Sequence, residues 1–478
     1  MLRLIALALT LGSAAAAAGA ETFLVGPTRP LHQLTEVAPL VGPGDLVLVD
    51  GGFVYDDVLF ENDGEAGKPI VVRGVRAGGL RPVIEGGTNT IEIQSDHFVL
   101  ESFEIRRGTF RCVYHHSDDL TLRDLYVHDC EAHGILSSDE DSGSLTVEHT
   151  EVARAGNGTG QHGIYVTSDQ NAHPGSVFRL QHSYIHDMNG GNALKSRAER
   201  NEIRYNWFEG TRYHLMELIG PDEGAVTPPP DIREDSDVVG NVLVHKAYDP
   251  PVMPWGTNPP AIDGSFAFVR IGSDVRCDDP DIPGNNSTRG RYRFSNNTFV
   301  RQSVGAGSAV FRPFGLLQSV AMANNVVWSS PGGAVAIVRF EGIGSEACWT
   351  NGEQIAGQAN WIETGTDPAS IPSGWSGTLS GASPLFADAA GYDFRLTTGS
   401  PARNQGVATP LDPAGYPFPC PHWPLAFEPP LRSVLPGSPA PARLVSGALD
   451  LGAYEFPGSL FTDGFEIQSA SRWSAVEP

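Results

Sequence analysis

The chain has 478 residues, with 32 Lys and Arg against 56 Asp and Glu and a formal net charge of −24. That charge argues against general nucleic-acid binding, where neutralised phosphates supply most of the affinity. It leaves calcium open as a cofactor, since calcium takes carboxylate and carbonyl oxygens. A hydrophobic share of 40%, with 55 Gly and 37 Pro, suits a turn-rich β protein and counts against a helix bundle.

Met1 to Ala20 carries one basic residue, Arg3, then an apolar run from Leu4 and small residues ending Ala18-Gly19-Ala20. This is the pattern of a secretory signal peptide with an A-x-A cleavage site. No later stretch reaches the roughly 20 apolar residues of a membrane span. The mature chain is therefore expected to be secreted (extracellular or periplasmic), with no membrane span. Five cysteines, Cys112, Cys130, Cys277, Cys348 and Cys420, allow at most two disulfides and match no zinc spacing.

From residue 100 one pattern recurs: an apolar residue, two others, an anchor, one other, an apolar residue. Its copies are Leu100/Phe103/Ile105, Leu122/Leu125/Val127, Val147/Thr150/Val152, Leu180/Ser183/Ile185 and Ile203/Asn206/Phe208. They continue as Val238/Asn241/Leu243, Phe294/Asn297/Phe299 and Met322/Asn325/Val327. The shortest separations lie in the low twenties, and the longer ones coincide with polar or Pro-rich insertions. Such a period marks a solenoid whose coils bury an apolar interior against their neighbours. Asn206, Asn241, Asn297 and Asn325 hold the middle anchor, so their amides are expected to stack into a structural hydrogen-bonded ladder.

This arrangement resembles the right-handed parallel β-helix of secreted bacterial proteins in the pectate-lyase-like superfamily, and the resemblance covers residues 21–455. It implies an all-β solenoid. Gly44 to Val49 and Lys68 to Gly74 resemble opening coils; Asp393 to Leu396, Gly399 to Ala402 and Leu451 to Glu455 resemble closing segments. The expected organisation is a signal peptide at 1–20, a β-helix domain at 21–455, and a tail at 456–478. Long Pro-rich or acidic loops are expected to leave the solenoid at about 221–237, 247–264 and 272–291, since proline cannot donate to a strand ladder.

A second set of strands can be stacked: Cys112 to His116, His133 to Ser138, His162 to Thr167, Asn192 to Arg197 and His214 to Ile219. Placing Val113, Ile135, Ile164, Leu194 and Met216 inward fixes the outward column as Tyr114, Leu136, Tyr165, Lys195 and Glu217, because side chains alternate faces. Two residues on, the outward column reads His116, Ser138, Thr167, Arg197 and Ile219. Arg270 and Arg312 extend the stripe. In a chain with only three lysines, Lys68, Lys195 and Lys246, one lysine lies between Tyr165 and Glu217.

That stripe suits β-elimination on a uronic-acid polymer. The reaction needs a cation to neutralise the carboxylate, a base for the adjacent carbon proton, and a donor near the leaving oxygen. The expected catalytic residues are Lys195 as base, Arg197 forking the carboxylate, Tyr165 or Tyr213 near the leaving oxygen, and Glu217 beside the lysine. Tyr114, His116, His162, His214, Arg212, Arg270, Arg312 and Trp255 are expected to bind substrate. The segment 191–210 is also similar to the lysine-bearing coil of the chondroitinase-B/alginate lyase family, and that similarity places the base on Lys195. The family's arginine comes from the following coil, where this chain reads His214 to Ile219 and has none, so Arg197 or Arg212 would substitute.

Other features read as structural. Val127-His128-Asp129 and Ile185-His186-Asp187 are taken as strand-exit turns, and His133, His162, Asn192 and His214 as a polar stack at a coil corner. Asp139-Glu140-Asp141 and Glu234-Asp235-Ser236-Asp237 match no EF-hand loop and are taken as solvated loops. A polygalacturonase-type hydrolase would need an outward carboxylate pair, and the stripe shows chiefly Glu217. The expectation is a monomeric polysaccharide-active protein, a lyase or alternatively a non-catalytic carbohydrate-binding or cell-surface adhesion protein.

Overall fold

The computed structural model describes residues 19–219, 234–246, 253, 267–273, 290–302, 309–315, 317–330, 335–340, 349, 352–413, 415, 424–432 and 437–456. Three long parallel sheets of 13, 12 and 10 strands run its length, and each coil from Leu46 to Val338 contributes one strand to each. The chain is thus a parallel β-helix. Among the described residues no helix is long and apolar enough to cross a membrane.

The repeat maps onto this geometry with one revision. Each copy spans two strands from different sheets rather than one. Leu100, Leu122, Val147, Leu180, Ile203, Val238, Phe294 and Met322 form an inward row of the 13-stranded first sheet. Ile105, Val127, Val152, Ile185, Phe208, Leu243, Phe299 and Val327 form an inward row of the 12-stranded third sheet. Between them the chain turns a corner. The residue before each anchor is left-handed: Ser102 (φ 66°), Asp124 (54°), His149 (50°), His182 (53°), Tyr205 (57°), Gly240 (68°), Asn296 (53°) and Asn324 (59°). A side chain resists that conformation, so the corner needs compensation.

The Asn ladder supplies it. Asn241 Oδ1 accepts from the Asn206 backbone N–H at 2.9 Å and from its Nδ2 at 3.0 Å. Asn297 serves Asn241 in the same way, and Asn325 serves Asn297. Each Nδ2 also reaches a carbonyl of the preceding first-sheet strand, as Asn297 does with Val238 at 2.8 Å. Asn360 adds a rung beyond the copies read from sequence, and Ser183 and Thr150 continue the stack on the other side. All of these groups are buried, so their pairing is obligatory.

The interior is one apolar column running through the coils. A disulfide joins Cys112 to Cys130 within one coil. The closing segments do something other than close the solenoid's end. Asp393–Leu396 pairs antiparallel with Phe386–Asp388, and Phe394, Ala453 and Tyr454 pack on Tyr184, Trp207, Val242 and Val300. The C-terminal segment therefore lies along the outer face of the third sheet, and Arg432 Nε reaches the buried Glu209 carboxylate at 2.9 Å.

On that face both His-Asp pairs are structural. His128 lies between Asp129 (2.7 Å) and Glu104 (3.1 Å), and His186 between Asp187 and Glu151 (both 3.0 Å). Asp139 to Asp141 are exposed, as expected. The other acid run is not a solvated loop. Asp235–Val239 is a first-sheet strand, and Glu234, Ser236 and Asp237 are buried. Asp237 satisfies Arg200 and Arg293, which lie on neighbouring strands of that sheet.

Candidate functional site

The 10-stranded second sheet carries the stripe. Its register pairs Tyr114 with Leu136, Leu136 with Tyr165, Tyr165 with Lys195, Lys195 with Glu217, Glu217 with Arg270, and Arg270 with Arg312. This is the outward column expected from alternation, and the inward partners Val113, Ile135, Ile164, Leu194 and Met216 are buried. Parallel stacking brings successive members within about 4.8 Å of backbone separation.

At its centre is Glu217, whose side chain is 3% exposed. One carboxylate oxygen is bound by Arg270, and the other accepts from Asn192 Nδ2 at 2.6 Å. Lys195 Nζ stands 3.9 Å from that second oxygen and 5.0 Å from the centre of the Tyr165 ring. Burial opposes ionisation of Glu217, but the Arg270 and Lys195 cations prevail and hold the carboxyl well below the usual carboxylate range. Arg197 Nε donates to the Tyr165 hydroxyl at 3.0 Å. Arg270 lies 3.8 Å and Arg312 5.2 Å from the centre of the Phe314 ring.

Exposure divides the column. Tyr114, Tyr165 and Lys195 are partly open, whereas Glu217, Arg270 and Arg312 are buried. Arg197 is 3% exposed, so a direct fork onto a substrate carboxylate gives way to a place behind Tyr165. Tyr213 lies off the column, its ring 4.0 Å from that of His214, with Arg212 in the same turn. His116 packs edge-on against Tyr114 at 4.6 Å. Trp255 lies outside the described residues.

His162 and His214 are not placed to meet a polymer. They belong to a second ladder at the corner entering this sheet. The backbone N–H of His162 donates to His133 Nδ1 (3.3 Å), that of Asn192 to His162 Nδ1 (3.0 Å), that of His214 to Asn192 Oδ1 (3.1 Å), and that of Ala267 to His214 Nδ1 (3.0 Å). Burial lowers all three imidazoles, His133 to about 4, His214 to about 3 and His162 well below its ordinary value. They are neutral, with the proton on Nε2. Asn192, read only as a member of this stack, also fixes Glu217. Its place one coil before Glu217 at the strand entry was the available signal.

Behind Arg197 lies a further buried acid. Glu234 accepts from Tyr292 Oη at 2.9 Å and Ser236 Oγ at 3.1 Å, and burial pushes its carboxyl up to about 8. Among the described residues no group of three or more His, Cys, Asp or Glu is arranged to hold a metal ion. A separate cleft of about 150 Å³ lies under the C-terminal segment, between His149, His182, Tyr184 and Pro439. It contains none of the stripe.

No protein-family model matches the chain, and no curated protein matches it in sequence. Among solved structures it is similar to the pectate lyase Pel9A, with 14% identity, a TM-score of 0.53, and coverage of 91% of this chain and 96% of that one. An alginate lyase from Paenibacillus sp. str. FPU-7 matches at 13% identity and a TM-score of 0.42, over 76% of this chain and 98% of that one. A rhamnogalacturonan lyase matches at 10% identity and a TM-score of 0.42, over 71% and 87%. At such identities the likeness to Pel9A establishes the parallel β-helix fold, and function has to be argued from the site.

Proposed function

We propose that this is a secreted, polysaccharide-active β-helix protein that cleaves a uronic-acid-containing polymer by β-elimination, with Lys195 as the base. The observation that carries the reading is the position of Lys195. It is the last partly open member of the outward column, next to Tyr165 on one side and to the buried, ionised Glu217 on the other. Lys195 in its deprotonated, neutral amine form takes the proton from the carbon next to the uronate carboxylate. The electron pair forms the new carbon–carbon double bond, the glycosidic carbon–oxygen bond breaks, and the Tyr165 hydroxyl protonates the departing oxygen. Arg197 holds that phenol and adds fixed positive charge where the enolate develops, in a site of low dielectric. The lyases among the similar structures agree with this choice of substrate class.

The test is a screen of the mature protein on pectate, alginate, chondroitin sulfate and bacterial exopolysaccharides, with and without calcium, following ultraviolet absorbance of the unsaturated product. Lys195→Ala is expected to abolish turnover with the fold intact, and a variant that keeps most of the activity removes the assignment. The burial of Glu217, Arg270 and Arg312 favours a second reading, a non-catalytic carbohydrate-binding or cell-surface protein. Folded protein that binds these polymers and yields no absorbing product on any of them would select it.

A further inference from the structure

Three strands toward the N-terminus from Lys195, about 14 Å along the sheet, lies an arginine on the same sheet as that lysine. Arg111 begins the strand Arg111–His115. Its guanidinium carbon lies 3.8 Å from the centre of the Tyr114 ring and 4.2 Å from that of Phe110. Its one side-chain hydrogen bond goes to Asn89 Oδ1 at 3.2 Å, its Nε is buried without a partner, and it makes no ion pair among the described residues. In a protein of net charge −24, a partly exposed arginine held against two rings and bonded to an amide, with the Glu92 carboxylate acting on its charge only from beyond ion-pair distance, is prepared for an anion from outside. Stacked guanidinium groups are pre-organised for carboxylates and sulfates.

The surroundings join this group to Lys195. Phe110 is 40% exposed. The His133 ring lies 5.9 Å from Phe110 and 6.1 Å from Tyr165, over which Lys195 sits. An aromatic strip therefore connects the two cations along the open half of the column. Beyond Tyr114 the column continues to Glu92, whose two carboxylate oxygens accept from Asn89 at 2.7 Å and Gln94 at 2.8 Å, and then to Leu59. A second anionic sugar would meet that negative charge, so the strip ends with one.

We propose that Arg111 is a distal binding site for a single acidic sugar of a chain lying along the sheet from Lys195. This rests on the proposed polysaccharide substrate and is independent of whether Lys195 performs chemistry. The experiment is calorimetric titration of the mature protein and its Arg111→Gln and Arg111→Lys variants with digalacturonate, hexagalacturonate and methyl-esterified hexagalacturonate, with product absorbance read on the same samples. The hexamer should bind wild type more tightly than its ester, and Arg111→Gln should weaken the hexamer about tenfold or more while changing the dimer less than about twofold. Arg111→Lys should fall between, since it keeps the charge and loses the flat stack. Equal hexamer affinity in all three proteins, equal weakening of dimer and hexamer, or no hexamer binding by wild type overturns the site. Arg111-dependent binding without absorbing product leaves the site standing and removes the lyase reading. Product formed with Arg111-independent binding does the reverse.

Discussion

Replacing Glu217 by Gln takes one negative charge from the centre of the column and almost no volume. The carboxylate is buried against Arg270, Asn192 and Lys195. The amide can still accept a hydrogen bond from Asn192, but the ion pair with Arg270, whose side chain is 10% exposed, is gone. Removing one partner of a buried pair costs about 3–5 kcal/mol. Arg270 retains the Ser273 carbonyl at 3.0 Å and Lys195 keeps some solvent, so the lower end, about 3 kcal/mol, applies. If the contact is lost before the unfolding transition state, that is roughly a hundredfold in unfolding rate. Rates in urea, followed by tryptophan fluorescence, suit a long solenoid that need not unfold in one step. Acid gives the second check. The folded carboxyl is held below its unfolded value of about 4.3. Its contribution is therefore present above that value and fades as pH falls through the folded one. Equal unfolding rates at neutral pH, or a gap that persists unchanged well below pH 3, would refute the account of the column.

Three other outcomes are expected. Asn297→Ala strips hydrogen bonds from Asn241, Val238 and Asn325 at about 1–3 kcal/mol for each buried group left unpaired, and it should abolish hydrogen-exchange protection of the Asn241 amide. For His186, burial opposes the charge but Asp187 and Glu151 raise the imidazole above its ordinary value; its stabilisation is full below about pH 6.5 and lost as pH rises through the folded value, a slope absent in His186→Gln when unfolding free energy is measured from pH 5 to 9. For Glu234, burial pushes the carboxyl up to about 8, so the folded state keeps a proton that the unfolded state releases near 4.3 and stability falls as pH rises between those values; Glu234→Gln should exceed wild type in stability at pH 9 and match it at pH 4.

The second sheet was legible because its strands announce their register twice. Val113, Ile135, Ile164, Leu194 and Met216 must face inward, and a slip of one residue would bury Lys195 and Glu217 in the apolar interior. The Asn anchors were legible for a related reason, since an amide repeated at one position of a stacked coil meets its own copies in the coils above and below. The bend inside each repeat left no such mark. His149, His182, Asp124 and Ser102 all take a left-handed conformation, and no shared residue type signals it, so two strands read as one. His162 and His214 were read both as substrate contacts and as part of a polar stack; the stack is what forms, because backbone N–H groups from the following coil consume their Nδ1 atoms, and a main-chain donor has no letter in the sequence.

Charge balance in the column bears on why Lys195 is there. Glu217 is already matched by Arg270 on one oxygen and by the Asn192 amide on the other, and the lysine ammonium at 3.9 Å is too far to add a hydrogen bond. Its charge assists Arg270 in keeping the buried carboxylate ionised. Packing does not require it, for the inward wall of its strand is made by Leu194 and Ser196. A group that makes no hydrogen bond to the carboxylate beside it, yet is held over a tyrosine ring at the last partly open step before the column becomes buried, is arranged for something that enters from solvent. That is the physical ground for placing chemistry at Lys195 rather than at the more heavily bonded Glu217.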